Sequence, residues 1–172
     1  MSNDIKIIDN FLNQDEFNSI KDVIFGNNFS WYHSPNIAYK NDPHKILESF
    51  FVHMIYDEDV IQSRYYDHFA GIFLPKIKQV CEIKSLIRIK TNFYPATENL
   101  IEHPPHNDYN FRHLGCIFSM NTCDGFTRFG KNEDQIIGSK ENRMIFFDPF
   151  ILHNSTNTTD AQARININFN FL

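Results

Sequence analysis

Eight residues near the end of the sequence alternate strictly between polar and apolar side chains, which leaves few ways for this segment to fold. The stretch RININFNFL places Arg164 on the same face as three asparagines. A period of two residues is typical of a β-strand, because successive side chains point to opposite faces of the sheet. We expect the isoleucine and phenylalanine face to pack against helices, so the arginine face must point into a β-sandwich or barrel. A guanidinium buried there needs an anionic partner.

A second alternating stretch, SLIRIKTNFYP, begins at Ser85 and predicts another strand with one apolar face. Its polar face carries Arg88, Lys90, Asn92 and Tyr94, and its apolar face carries Ile87, Ile89 and Phe93. Shorter strand candidates follow, separated by turn residues: HLGCIFSMN, DGFTRFG and RMIFFDP. Several short strands after a helical stretch predict a β-sandwich or barrel whose outer face is covered by helices.

The first half of the sequence has patterns typical of helices, after a short strand in DIKIIDNFL. Asn13 and Glu16 match the two positions of a capping box, and Gly26 stands where a glycine ends a helix. A second helix is expected from about residue 60 to residue 80, with Pro75 kinking or splitting it. Helical spacing of apolar residues supports both helices: Phe17, Ile20 and Ile24 in the first, and Tyr65, Phe69, Ile72 and Phe73 in the second.

Composition and charge limit the classes of partner. The 172 residues carry a net charge of −5, with lysine and arginine scattered along the chain, which argues against a nucleic-acid partner. The sequence contains neither a signal-peptide pattern nor an apolar run long enough to span a membrane. Three cysteines without a C-x-x-C pair predict reduced thiols, so we expect a cytoplasmic protein.

The segment HPPHNDYN, residues 103–110, is dense in side chains that bind metals. His106 and Asp108 form an H-x-D motif, which on a strand directs both side chains to one face. With His153 they would make a facial triad of two histidines and one carboxylate, which leaves three coordination positions open and suits Fe(II). Taken singly, each residue has an ordinary explanation: a surface loop for the motif, a structural role for His153, and an ion pair with Asp148 for Arg164.

In combination, these residues resemble the Fe(II)/2-oxoglutarate-dependent dioxygenases, in particular small prolyl-4-hydroxylase-like members such as those of phages. HND at 106–108, LH at 152–153 and RININFNF at 164–171 carry the resemblance. NFYP at 92–95 and DGFTRF at 124–129 add weaker support.

The resemblance implies a fold that is mainly β with flanking helices: a double-stranded β-helix, or cupin-like jelly roll, with N-terminal helices on its major sheet. Residues 1–172 would form a single domain. Within it, residues 1–84 would be a helical support region, and residues 85–172 a jelly-roll core with the metal site.

The resemblance also implies a role for each candidate residue. His106, Asp108 and His153 would hold Fe(II), and Arg164 would bind the distal carboxylate of 2-oxoglutarate. Tyr94 and Asn166 would contact the same cosubstrate, with Asn92 as a weaker candidate on that face. His103, His113, Trp31 and Tyr32 stay secondary candidates for pocket lining, a strand edge or substrate contact.

The implied reaction consumes O2 and 2-oxoglutarate, releases succinate and carbon dioxide, and hydroxylates a C–H bond. The intact Asp108 favours hydroxylation, because halogenases of this family have a small residue there. A peptidyl or free amino acid is the favoured substrate, ahead of another small molecule or a nucleobase. Membrane association is not expected, and a phage protein would work in the host cytoplasm.

Two other functions stay open on the sequence alone. A cupin-like metalloprotein that does not use 2-oxoglutarate would have no use for an inward Arg164. A non-catalytic jelly-roll module that binds a carboxylate would not need three intact metal ligands.

Overall fold

The computed structural model describes residues 5–35, 50–130 and 135–172, which form two β-sheets and two helices. The larger sheet consists, in spatial order, of β1 (Lys6–Asp9), β9 (Arg143–Phe147), β6 (Leu114–Ser119), β11 (Ala163–Phe171), β5 (Leu86–Pro95), β3 (Phe50–Asp57) and β2 (Tyr32–Ser34). The short β4 (Val60–Ile61) pairs with β3. The smaller sheet has the order β10 (His153–Ser155), β7 (Phe126–Phe129) and β8 (Gln135–Gly138).

Strand β11 lies in the middle of the larger sheet, between β5 and β6, and pairs antiparallel with both. Its register places Arg164 opposite Tyr94 and Asn168 opposite Lys90. Residues directly opposite in an antiparallel pair point to the same face. The two polar faces predicted from alternation therefore form one continuous surface. That surface faces the smaller sheet, since Arg164 donates a hydrogen bond to Thr127 of β7.

The opposite face of the larger sheet carries the apolar side chains and is covered by the helices α1 (Gln14–Ile24) and α2 (Tyr66–Ile77). Phe73 of α2 lies 4.8 Å from Phe169 and 5.0 Å from Phe118, measured between ring centroids. Each fully buried phenylalanine stabilises the fold by about 1.5–3 kcal/mol. This packing confirms the predicted architecture of a mainly β chain with helices on the major sheet.

The capping box of α1 is confirmed. The side chain of Asn13 accepts a hydrogen bond from the Glu16 amide, and the Glu16 carboxylate accepts one from the Asn13 amide. Gly26 follows the C-cap residue Phe25, and a Cβ atom there would lie 2.6 Å from the carbonyl oxygen of Asp22. Glycine is therefore needed at this helix end for space.

The structure differs from the expectations for the first half in three respects. The region 1–84 is more than a helical support, because β1 to β4 lie within it. The second helix begins only at Tyr66, since Val60 and Ile61 pair with β3. Pro75 does not split the helix into two elements, since α2 continues through it to Ile77. It lies in the last turn, where only one backbone hydrogen bond is missing.

Strand β3 escaped prediction because its sequence, FFVHMIYD, carries apolar residues on both faces. Neither described helix combines the length and the apolar composition needed to cross a membrane.

Candidate metal and cosubstrate site

His106, Asp108 and His153 come together at one end of the space between the sheets. One potential ligand atom from each lies within 4.8 Å of the others. A reciprocal pair of backbone hydrogen bonds joins His106 to His153, with N···O distances of 2.9 and 3.0 Å. The H-x-D motif was expected on a strand, but it lies in a loop whose isolated bridge to β10 pairs His106 with His153. The bridge brings the two histidines together.

Backbone carbonyls orient both imidazole rings. Nδ1 of His106 lies 3.4 Å from the Pro104 oxygen, and Nδ1 of His153 lies 3.1 Å from the Ile151 oxygen. A carbonyl only accepts hydrogen bonds, so each Nδ1 carries the hydrogen and each Nε2 is left as a ligand. Burial lowers the pKa of His153. Burial, followed by the charge of His153, lowers the pKa of His106 to about 4. Both rings are therefore neutral at pH 7, as metal ligands must be.

The carboxylate of Asp108 is held from two sides. Nη2 of Arg88 lies 2.9 Å from Oδ1, in a close ion pair without the alignment of a good hydrogen bond. The side-chain amide of Asn170 donates to Oδ2 at 2.8 Å. Burial raises the pKa of Asp108, but Arg88, His153 and Asn170 outweigh it and hold the pKa below its usual range. Asp108 is therefore a fixed, ionised carboxylate.

Arg164 lies at the other end of the site and is 1% exposed. It donates to the carbonyl oxygen of Thr156 at 3.0 Å and to the hydroxyl of Thr127 at 2.8 Å, while its Nε has no partner. No carboxylate in the described ranges forms an ion pair with it, so the alternative pairing with Asp148 is not present. A buried guanidinium with only neutral partners can still bind an anion.

Gly125 makes room for this arginine. A Cβ atom at Gly125 would lie 2.6 Å from Cδ of Arg164 and would also collide with the carbonyl oxygen of Asn157. The sequence DGFTRF, noted as a weak motif, thus has a physical role. Its glycine lets the smaller sheet approach the arginine side chain closely.

Tyr94 stands beside Arg164, with its ring 5.9 Å from the guanidinium carbon. The ring stacks on Phe50 at 5.1 Å and lies 5.2 Å from the ring of His103. Burial raises the pKa of Tyr94, although its hydrogen bond with Ser155 opposes this. The hydroxyl is therefore protonated at pH 7 and able to donate to an anion held by Arg164.

The cavity between the two ends is lined by the side chains of the metal cluster and of the inward faces of β5 and β11. Asn166 accepts a hydrogen bond from Asn92 at 2.8 Å. Side-chain oxygens of Asn92 and Asn168 are buried without a hydrogen-bond donor. The volume is about 30 Å³, enough for one or a few water molecules. A ligand as large as 2-oxoglutarate would require flexible wall side chains such as Lys90 to move.

Several contributors were not identified from the sequence as parts of the site: Gly125, Thr127 and Ser155, and the pair Arg88 and Asn170 around Asp108. The sequence carried a signal only for Arg88 and Asn170. These two residues share the two-residue period of Tyr94 and Arg164, which places them on the inward faces of their strands. The other three lie on the smaller sheet or just before it, in segments too short to show a period.

The secondary candidates lie mostly outside the cluster. His103 is buried, with Nδ1 2.9 Å from the Ser155 hydroxyl, and lines the Tyr94 end. His113 is buried just before β6, with Nδ1 facing the Phe111 carbonyl. Trp31 packs against Phe29 and Phe93 in the core, whereas Tyr32 is 61% exposed.

No protein-family model and no curated protein sequence matches the chain. Solved structures do match. A Trichoplax adhaerens prolyl hydroxylase in complex with a hypoxia-inducible-factor peptide superposes with a TM-score of 0.67 at 15% identity, covering 99% of this chain and 84% of its own. A Pseudomonas putida prolyl-4-hydroxylase gives 0.64 at 10% identity, with 99% and 93% covered.

Two further structures show how broad this fold is. A Burkholderia pseudomallei oxidoreductase of the 2OG-Fe(II) oxygenase family gives a TM-score of 0.69 at 10% identity, covering 97% of this chain and 84% of its own. The α-ketoglutarate-dependent epimerase SnoN gives 0.68 at 10% identity, covering 98% and 77%. The chain therefore has the jelly-roll fold of these enzymes.

Proposed function

We propose that this protein is a dioxygenase that depends on Fe(II) and 2-oxoglutarate and hydroxylates a C–H bond of a peptidyl or free amino acid. The single observation that carries the proposal is the distribution of charge in the site. Two neutral imidazoles and a carboxylate converge at one end, and at the other end Arg164 is buried without a carboxylate partner in the described part of the chain.

The three candidate ligands fit an Fe(II) site. His106, Asp108 and His153 supply two nitrogens and one oxygen without thiolate, and further coordination positions would remain open. When bound, Fe(II) and 2-oxoglutarate together activate O2 and oxidise a C–H bond, with formation of succinate and carbon dioxide.

The remaining residues bind and orient. Arg164 would hold the distal carboxylate of 2-oxoglutarate through charge-assisted hydrogen bonds, which a water-poor interior strengthens. Tyr94 would donate a hydrogen bond from its hydroxyl to the same carboxylate, and Asn166 would contact the cosubstrate from the next inward position of β11. Phe50 stacks on Tyr94 and excludes water from that end.

The favoured substrate class follows from the likeness in fold to prolyl hydroxylases. The relatives with this fold include an enzyme bound to a peptide and an epimerase. Asp108 supports hydroxylation over halogenation, since a carboxylate occupies the position that a halide would need. A cupin-like protein that does not use 2-oxoglutarate would leave the charge of Arg164 unexplained.

The test is an anaerobic titration of the purified protein with Fe(II) and then 2-oxoglutarate, followed by visible absorption. We expect a charge-transfer band that requires both additions, is absent in Asp108→Ala and is weakened in Arg164→Ala. Arg64→Ala, at an exposed arginine far from the cavity, is the matched control. Folded wild-type protein that gives no band would overturn the proposal.

A further inference from the structure

Lys90 is a cation in the cavity for which the proposed reaction has no use. It lies on the inward face of β5, two residues after Arg88, and lines the same cavity as the three metal ligands. Its ammonium group lies 5.9 Å from the Phe50 ring centroid. Within residues 5–35, 50–130 and 135–172, no hydrogen bond or ion pair joins this ammonium to another residue.

The two carboxylates near Lys90, Asp57 and Asp108, do not form an ion pair with it. Asp108 is the carboxylate that lines the cavity, and its oxygens already face Arg88 and Asn170. Metal binding would add two positive charges beside Lys90. The ammonium group is only partly exposed and has no carboxylate in direct contact, so an incoming anion would gain a charge-assisted hydrogen bond.

We assign the distal carboxylate to Arg164 and a different anion to Lys90. Tyr94, the cross-strand neighbour of Arg164, follows Lys90 by four residues on β5, which is about 13 Å along a strand. The near carboxylate of 2-oxoglutarate would chelate the metal, whose positive charge already balances it. A third anionic group is therefore the natural partner of Lys90.

Asn168 adds a complementary group next to Lys90. It is the cross-strand neighbour of Lys90, and its side-chain oxygen is buried without a hydrogen-bond donor. A cation for a carboxylate and an acceptor for an N–H group thus stand side by side at the metal end of the cavity. A free α-amino acid carries both matching groups on one carbon, whereas a residue inside a peptide chain has no α-carboxylate.

From this pairing we infer that Lys90 is the substrate-recognition residue of the site and that the substrate is a small carboxylate, with a free amino acid as the best match. The inference rests on the proposed function and narrows its substrate class. It favours a free amino acid over a residue within a neutral peptide.

The test uses acetate as the simplest carboxylate and acetamide as its neutral counterpart. The protein is loaded with Mn(II), which is paramagnetic and does not support turnover, and saturated with 2-oxoglutarate so that Arg164 is occupied. Paramagnetic relaxation of the probe's methyl protons reports binding close to the metal. We expect acetate to bind to the wild type and acetamide to bind far more weakly. Acetate binding should fall about tenfold or more in Lys90→Met, which loses one charge-assisted contact.

Three variants complete the design. Lys90→Arg keeps the charge and should retain acetate binding, while Lys90→Gln is a second neutral variant in case Lys90→Met does not fold. Lys78→Met removes an exposed lysine after α2 and should change nothing. Acetate bound equally by wild type and Lys90→Met would mean that the metal itself binds it, and the inference fails.

A tenfold loss of 2-oxoglutarate affinity in Lys90→Met would also overturn the inference, because Lys90 would then serve the cosubstrate. Wild-type protein that binds neither Mn(II) nor 2-oxoglutarate would instead overturn the proposed function itself. The two failures are distinguishable, because cosubstrate binding is measured before the probe is added.

Discussion

Arg88 places its guanidinium Nη2 2.9 Å from Oδ1 of Asp108, and its Nε donates to the side-chain oxygen of Asn170 at 3.1 Å. Asn170 in turn donates to the other oxygen of Asp108. The three side chains form a closed triangle that fixes the carboxylate before any metal arrives. Such outer contacts orient metal ligands and raise affinity.

Arg88→Lys tests whether Arg88 acts by positioning Asp108 or only by its charge. The lysine ammonium keeps the positive charge but cannot contact Asp108 and Asn170 at the same time, as the guanidinium does. We expect affinity for Fe(II) or Mn(II) to fall about tenfold, as is common when an outer contact is lost. Equilibrium titration under anaerobic conditions measures it. Asn170→Ala should act in the same direction, and Arg64→Lys should have no effect. Wild-type affinity in Arg88→Lys would show that the triangle does not position Asp108.

Gly125→Ala should disturb the cosubstrate end without touching the metal ligands. The added methyl would collide with Cδ of Arg164, so the guanidinium must shift. We expect 2-oxoglutarate affinity to fall at least about tenfold and the free energy of unfolding to fall by about 1–3 kcal/mol, with metal affinity retained. Gly138→Ala, in the same sheet with open space around it, is the matched control. Equal cosubstrate affinity in both variants would contradict the prediction.

The inward face of β11 could be predicted from sequence because alternation is a local signal. Arg164, Asn166 and Asn168 follow one another at a period of two, and burial of the opposite face fixes which way they point. The convergence of His106 with His153 had no such signal. It depends on a backbone bridge between a loop and a three-residue strand, so only the resemblance brought the two together.

Strand β3 and the surroundings of Lys90 are two further features that could not be predicted from the sequence. β3 carries apolar side chains on both faces, so its sequence lacks the period that reveals a strand. Lys90 was placed correctly on the inward face of β5, but an inward lysine alone does not show what it faces. Its neighbours in the cavity come from β11 and from the 106–108 loop, which are distant in sequence.

The capping box of α1 offers a direct test of a feature predicted from sequence. Asn13→Ala removes the side chain that accepts from the Glu16 amide, so we expect a loss of about 1 kcal/mol in the free energy of unfolding. Asn13→Ser keeps a good cap and should lose much less. Urea denaturation of the three proteins measures the difference. Equal stabilities of the alanine and serine variants would mean that solvent replaces the cap without cost.

His103 should make folding stability depend on pH. Burial, followed by the charge of Arg164, lowers its pKa to about 3 in the folded state, against about 6.5 in the unfolded chain. Below pH 6.5 the unfolded chain therefore binds a proton that the folded protein does not, and stability falls as the pH falls. His103→Gln removes this titration and keeps a side chain able to hydrogen-bond to Ser155.

Between pH 7 and pH 5, the wild type should lose about 2 kcal/mol more stability than His103→Gln. Urea denaturation of both proteins at the two pH values measures this difference, and contributions from the other histidines cancel in the comparison. His33 is exposed, so His33→Gln is the matched control and should show the wild-type loss. A His103→Gln variant that loses as much stability as the wild type would mean that His103 is protonated in the folded protein. The cosubstrate end of the cavity would then carry one more positive charge than the structure assigns to it.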